Sequence, residues 1–296
     1  MRALVKTKPA PGLELLDVPK PTAGSGQVVV RVMATSLCGT DNHIYRWDEW
    51  AQGRIHPPRI IGHELCGEVV EVGPNVTAVA VGDYVAAESH ITCGVCFQCR
   101  TGNAHVCKDY RILGIDEDGS YAEFVRLPER VLWKTSREIP PELACLQEPL
   151  GNSVHAALVE DITGQSVLIT GCGPTGLFAA AVARTAGAGL IIASDVSDYR
   201  LDLARKLGVD HAINPNTDDT DLISRATNGE GVDVALEMSG SPTAIHKCFR
   251  YVKNGGRVTL FGIPAAQVSF DMPNEIIFKG IRVYGVTGRR LFQTWY

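Results

Sequence analysis

The rhythm of apolar positions changes halfway along the chain. In the first half they come as short β-branched or alternating runs at 28–32, 68–72 and 121–125, punctuated by turn signals at Gly73-Pro74-Asn75 and Gly82-Asp83. That pattern predicts a β-rich domain. From Ser166 onward, strand-like runs at 166–170, 190–195, 232–237, 257–262 and 281–286 alternate with helical stretches at 179–185, 198–207 and 242–252. Ser197 reads as an N-cap, Gly208 as a stop, and Pro242 as a first-turn residue. Strands alternating with helices predict a doubly wound α/β fold with a parallel sheet. The boundary is expected near Gly151, giving domains 1–150 and 151–296, with neither repeats nor low-complexity tracts.

Composition narrows the class without changing this division. A chain of 296 residues with 45% hydrophobic positions has material for two cores. Its net charge of -5 and the lack of a basic run argue against nucleic acid or an anionic membrane as a partner. The N-terminus has no apolar segment of secretory type, and the longest apolar stretch, 167–183, is broken by Gly and Pro. Nine cysteines, an odd number, suit a reducing, cytoplasmic setting better than a disulfide scaffold.

Gly171-x-Gly173-x-x-Gly176 follows a predicted strand and opens a helix, and Asp195 ends the next strand. In that context the glycines admit a pyrophosphate to the helix N-terminus, and the acid accepts the ribose hydroxyls. Asp195 would repel a 2′-phosphate, so NAD is expected over NADP. Arg200 is placed to stack on adenine or simply to lie on a helix surface. The bland alternative is a glycine turn in an α/β protein that binds no nucleotide.

Two sets of metal-ligand residues precede this motif. Cys93, Cys96, Cys99 and Cys107 form a C-x2-C-x2-C-x7-C run, suited to one structural Zn²⁺. A ferredoxin-type cluster would want a shorter last spacing followed by Pro, whereas Lys108 stands here. Cys38, His63 and Glu64 offer a thiolate, an imidazole and a carboxylate, a three-ligand set that leaves a position open for chemistry. Glu148, at the expected domain junction, is a further carboxylate. Cys66, Cys172 and Cys248 read as core thiols.

With these residues in view, the chain resembles the zinc-dependent medium-chain dehydrogenases. Gly62-His63-Glu64-x-x-Gly67-x5-Gly73 is similar to their zinc signature, and the quartet to their structural-zinc lobe. Within that superfamily it looks most like the L-threonine 3-dehydrogenases. The likeness runs through Cys38-Gly-Thr-Asp-x-His43-Ile-Tyr-x-Trp47-Asp-Glu-x-Trp50, 89–93, 148–155 and 291–296. The resemblance implies a GroES-like catalytic domain, a Rossmann domain, two zinc ions per chain and a tetramer. It implies oxidation of L-threonine by NAD⁺ to 2-amino-3-oxobutanoate, with the catalytic zinc on Cys38, His63 and Glu64. The proton would leave through Thr40 and the cofactor ribose to His43. Glu148 would hold, or exchange at, the fourth zinc position, or only orient water nearby, with Cys145 as the rival ligand. The nicotinamide side would involve Thr175, Phe261, Gly262, Ile263, Val286 and Thr287.

Other readings stay open at this point. A histidine near a cysteine can be a packing residue, His90 is a candidate pocket wall, and Trp47 and Trp50 suit cleft or core. The chain ends at Tyr296 inside what reads as a helix, where family members run on with a return segment. A second hypothesis is therefore a shortened zinc- and NAD-binding product without turnover. A third keeps the enzyme class and changes the substrate to a polyol or secondary alcohol.

Overall fold

A computed structural model describes residues 1–217, 221–264 and 266–295. The chain divides into two compact units, 1–148 with 290–296, and 149–289. The chain passes from one unit to the other between Glu148 and Pro149 and again between Arg289 and Arg290, so the division is not a single cut. Residues 290–296 were expected in the second domain and instead belong to the first.

The first unit is built from β1 (Arg2–Lys6), β2 (Glu14–Asp17), β3 (Gln27–Thr35), β4 (Arg59–Ile60), β5 (Leu65–Val72), β6 (Tyr84–Ala87), β7 (His90–Ile91), β8 (Arg111–Ile112), β9 (Phe124–Pro128) and β10 (Leu132–Lys134). Five of them make an antiparallel sheet in the order β10-β6-β5-β3-β9, and β2-β1-β4 make a smaller one. β3 sits between two neighbours with Val28, Val29 and Val30 fully buried, so β-branched packing replaces simple alternation there. Its ladder with β5 shifts register twice, the second time between Val32 and Ala34. Such bulges bend a strand and re-aim the residues beyond it.

β9 starts at Phe124, three residues later than the apolar run suggested. Tyr121 is diverted: its carbonyl accepts from Leu4 N at 2.8 Å and its hydroxyl turns to Asp41. The expected C-terminal helix is also corrected, because 291–295 form turns. Phe292 stacks on Trp133 at 5.0 Å and Trp295 joins the cluster of Cys66, Tyr84 and Ala86, so aromatic docking overrides local helix propensity. Tyr296 lies outside the described residues.

The second unit continues with β11 (Ser166–Thr170), β12 (Leu190–Ser194), β13 (His211–Ile213), β14 (Val232–Glu237), β15 (Val252–Leu260) and β16 (Arg282–Gly285). They form one parallel sheet in the order β13-β12-β11-β14-β15-β16. Alternate residues of β11 feed two cores: Val167 and Ile169 meet the helix Pro174–Thr185, and Leu168 meets the helix Pro242–Tyr251. Each such fully buried aliphatic side chain contributes about 1.5–3 kcal/mol. The chain leaves β11 on one side for β12 and returns on the other for β14, which makes the carboxyl ends of β11 and β14 a topological switch point. Several predicted helix edges shift by a few residues; the helix at 179–185 starts at Pro174. Ser197 is at its N-cap position without a side-chain capping bond. The helix Gln147–Ala157 had no counterpart in the sequence pattern.

Candidate functional site

In the first unit, Cys38 is the N-cap of the helix Gly39–Arg46, and its backbone N–H donates to Asp41 Oδ2 at 2.9 Å. His63 and Glu64 follow Gly62, which has φ +92°; a Cβ there would come within 2.3 Å of the Tyr121 ring. Only glycine permits both that conformation and that approach. The ligand atoms of Cys38, His63 and Glu64 lie within 4.8 Å of one another, with His63 and Glu64 buried. Ser36 Oγ donates to Glu64 Oε2, while Ser36 N and Thr35 Oγ1 donate to the Glu64 carbonyl at 3.0 and 2.8 Å.

The donor set suits a divalent cation. Burial, together with the carboxylates of Glu64 and then Glu148, pushes the Cys38 thiol up to about 12. A cation at the focus reverses that balance, since a coordinating thiol is deprotonated outright. His63 Nδ1 and Asp41 Oδ1 face each other at 3.7 Å, both buried and without a hydrogen-bond partner. A carboxylate behind a ligating imidazole fixes its ring and tautomer. Asp41 is the residue that motif reading missed, although its place three residues after an N-cap is a signal for it. Its Oδ2 also accepts from Tyr121 OH at 2.8 Å.

Glu148 does not join this close group of ligand atoms. It is buried and accepts from Ser89 Oγ at 2.7 Å, and burial, with the Glu64 carboxylate second, raises its carboxyl to about 8. Cys145, its rival, is buried, outside the cluster and bonded to the Glu142 carbonyl at 3.5 Å. Thr40 Oγ1 is 3.6 Å from Cys38 Sγ. His43 lies one turn along the same helix, half-exposed, with Nδ1 on Asp48. His90 is buried against the Tyr110 ring at 5.1 Å, and burial lowers it to about 4. Trp47 is half-buried in a core cluster, while Trp50 is exposed.

The four-cysteine lobe is more regular. Sulfur–sulfur separations are 3.5 Å for Cys96–Cys99 and Cys93–Cys107, 3.8 Å for Cys96–Cys107 and 4.0 Å for Cys93–Cys99. A tetrahedron with Zn–S arms of about 2.3 Å has edges of about 3.8 Å. Backbone N–H groups of Val95 and Cys99 hold Cys93 and Cys96 below the ordinary thiol value, Cys96 down to about 6, whereas burial pushes Cys99 up to about 12. All nine cysteines are free thiols, and Cys66, Cys172 and Cys248 are buried.

The second unit gathers the nucleotide-motif residues at the carboxyl ends of its strands. Gly171 follows β11, and a Cβ on Gly176 would stand 1.8 Å from the Gly171 carbonyl oxygen, so glycine is required for helix and strand to pack. A Cβ on Gly173, by contrast, would meet nothing within 4 Å. Gly173 is the N-cap of Pro174–Thr185, whose first turn carries no acid. Open space over an uncompensated helix N-terminus fits a pyrophosphate. Asp195 accepts from Cys172 N at 2.6 Å and Ser197 N at 2.9 Å, with Arg200 Nη1 3.7 Å away. Thr175 is half-buried, and its carbonyl accepts from Ser153 Oγ at 2.8 Å. Phe261, Gly262 and an exposed Ile263 follow β15, and Val286 and Thr287 follow β16. Sequence reading missed Glu237, buried at the end of β14, whose carboxylate accepts from Ser239 N and Gly240 N at 2.9 and 3.0 Å. Among the described residues no helix is long and apolar enough to cross a membrane.

Residues 24–137 match the alcohol dehydrogenase GroES-like domain and residues 174–296 the zinc-binding dehydrogenase family. An L-threonine 3-dehydrogenase of Pyrococcus abyssi is 52% identical over 100% of this chain and 85% of its own length. Among solved structures, a zinc-binding dehydrogenase of Sinorhizobium meliloti bound to NADP is 29% identical with a TM-score of 0.89, covering 99% of this chain and 86% of its own. An alcohol dehydrogenase of Escherichia coli CFT073 complexed with NADH is 27% identical, also with a TM-score of 0.89, over 98% of this chain and 84% of its own. From its two domains, its zinc signature and its full-length identity, the chain belongs to the zinc-dependent medium-chain dehydrogenases, close to the L-threonine 3-dehydrogenases.

Proposed function

We propose that this chain oxidises the 3-hydroxyl of L-threonine with NAD⁺, giving 2-amino-3-oxobutanoate, NADH and a proton. The observation that carries the reading is the cluster of half-buried Cys38 with buried His63 and Glu64 in a chain half identical, over its whole length, to L-threonine 3-dehydrogenase. Cys38, His63 and Glu64 would hold zinc, whose charge would lower the pKa of a substrate hydroxyl, much as metal sites take water from 15.7 to about 7, and bound NAD⁺ would supply the hydride acceptor.

The remaining work falls to the chain's own groups. Asp41 orients His63, and Ser36 fixes the Glu64 carboxylate. Thr40 and His43, one helical turn apart, carry the released proton outward. Glu148, held by the Ser89 hydroxyl, adds a further polar group to the site. Cys93, Cys96, Cys99 and Cys107 hold a second zinc that stiffens their lobe. Gly171, Gly173, Thr175 and Gly176 receive the pyrophosphate, Asp195 the adenosine ribose and Arg200 the adenine side. Phe261, Gly262, Ile263, Val286 and Thr287 line the nicotinamide end. The Asp195 carboxylate disfavours a 2′-phosphate, hence NAD over NADP. We assign the protein to the cytoplasm and to a homotetramer, in line with its free cysteines and its family.

A substrate and cofactor panel tests this. NAD⁺ with L-threonine should give the fastest turnover at about two zinc per chain, and NADP⁺ should be clearly poorer. Faster reduction of NAD⁺ by sorbitol or 2,3-butanediol would replace the substrate. Zinc retained without any turnover would overturn the reading.

A further inference from the structure

We propose that Asp48 is a positioning residue for His43, deciding which ring nitrogen receives the proton in the reaction proposed above. The inference rests on that reading and adds a residue to it. The helix Gly39–Arg46 ends at Trp47, whose left-handed conformation (φ 58°) turns the chain back on itself. Asp48 then N-caps the helix Glu49–Arg54 through Oδ1, which accepts from Ala51 N at 3.1 Å. Its other oxygen, Oδ2, meets His43 Nδ1.

The bond to His43 is the main cause that holds the Asp48 carboxyl below its ordinary value, so it is ionised at neutral pH. An ionised carboxylate only accepts hydrogen bonds. His43 Nδ1 must therefore carry the hydrogen, which leaves the lone pair of Nε2 as the proton acceptor. The Trp50 ring packs beside the imidazole, 6.0 Å away and tilted 57°. Cys38, Thr40, His43 and Asp48 thus succeed one another along a single helix and its turn. A carboxylate behind a proton-accepting imidazole holds the working tautomer and stabilises the charged ring once it forms.

Asp48→Asn separates this role from capping, because Asn caps a helix as well as Asp does but offers the ring no charge. In Asp48→Asn, kcat should fall on the order of tenfold, a fraction of what general base catalysis supplies. KM for L-threonine and the Kd of NADH should not move. In a His43→Asn background the same substitution should have no further effect, since Asp48 acts through His43. A wild-type kcat in Asp48→Asn, or a further tenfold loss in the double variant, would overturn the proposal. If the unaltered chain does not oxidise L-threonine, the functional reading fails, and the pairing is then judged by ¹⁵N shifts of the histidine ring. Those should report an Nδ1–H tautomer that reverts to Nε2–H in Asp48→Ala; Nε2–H in the unaltered chain would refute the pairing.

Discussion

The two clusters of candidate metal ligands in the first unit are built in opposite ways. The quartet is written locally: four thiols within one short segment, with sulfur spacings of 3.5 to 4.0 Å supported by amides of the same segment. The Cys38, His63 and Glu64 cluster is assembled from a helix start and a strand entry, and its supporting groups, Ser36 with Asp41, Ser89, Tyr121 and Glu148, come from four places in the chain. A local site can close around a metal with little help from the fold. A dispersed one exists only when the sheet is formed, and it can keep an unsaturated shell because rigid neighbours hold its ligands apart.

The largest expected effect separates the two directly. Cys38→Ser should cut turnover on the order of a thousandfold or more, the scale of a lost Lewis acid, and leave NADH affinity almost unchanged. Cys96→Ser should instead release the lobe zinc and lower the melting temperature, since structural zinc contributes folding energy outright. Zinc content, kcat and a thermal scan on both variants check this; full activity in Cys38→Ser would dissolve the distinction. Asp41→Asn is expected to act only on the dispersed site, weakening its zinc by about 10–100-fold, as read by competition with a chelator. Equal weakening of both zinc ions would mean that Asp41 serves the fold and not the ligand.

The smallest effect concerns pH. Burial raises the Glu148 carboxyl from its ordinary 4.5 to about 8, so the folded, zinc-free protein retains a proton that the unfolded chain releases. The stability this gives is complete below about pH 4.5 and is lost as pH climbs through about 8. Urea midpoints of the zinc-free protein across that window should therefore fall less in Glu148→Gln than in the unaltered chain. Identical slopes would remove Glu148 from the buried site.

Much of the fold was legible because its signals are periodic or local. Five of the six strands of one parallel sheet, the glycine turn after β11 and the acid after β12 stand where the apolar runs and spacing put them, while β13 was not read from the sequence. The helix Gln147–Ala157 escaped because Pro149 and Gly151 weaken its pattern, and tertiary packing outweighs that penalty. At the chain end the same force works in reverse. Aromatic contacts of Phe292 and Trp295 turn residues that read as helical, and return them to the first unit.

By itself the sequence determined the two domain types, the cysteine quartet and the strand–turn–helix–strand–acid order of a dinucleotide fold. Each of these is encoded by residues close together in the chain or by a repeating period. Only the tertiary structure decided that Asp41 faces His63, that Ser89 grips Glu148, and that Asp48 turns back on His43. Those pairings depend on bulges, a left-handed turn and burial, which no local pattern specifies.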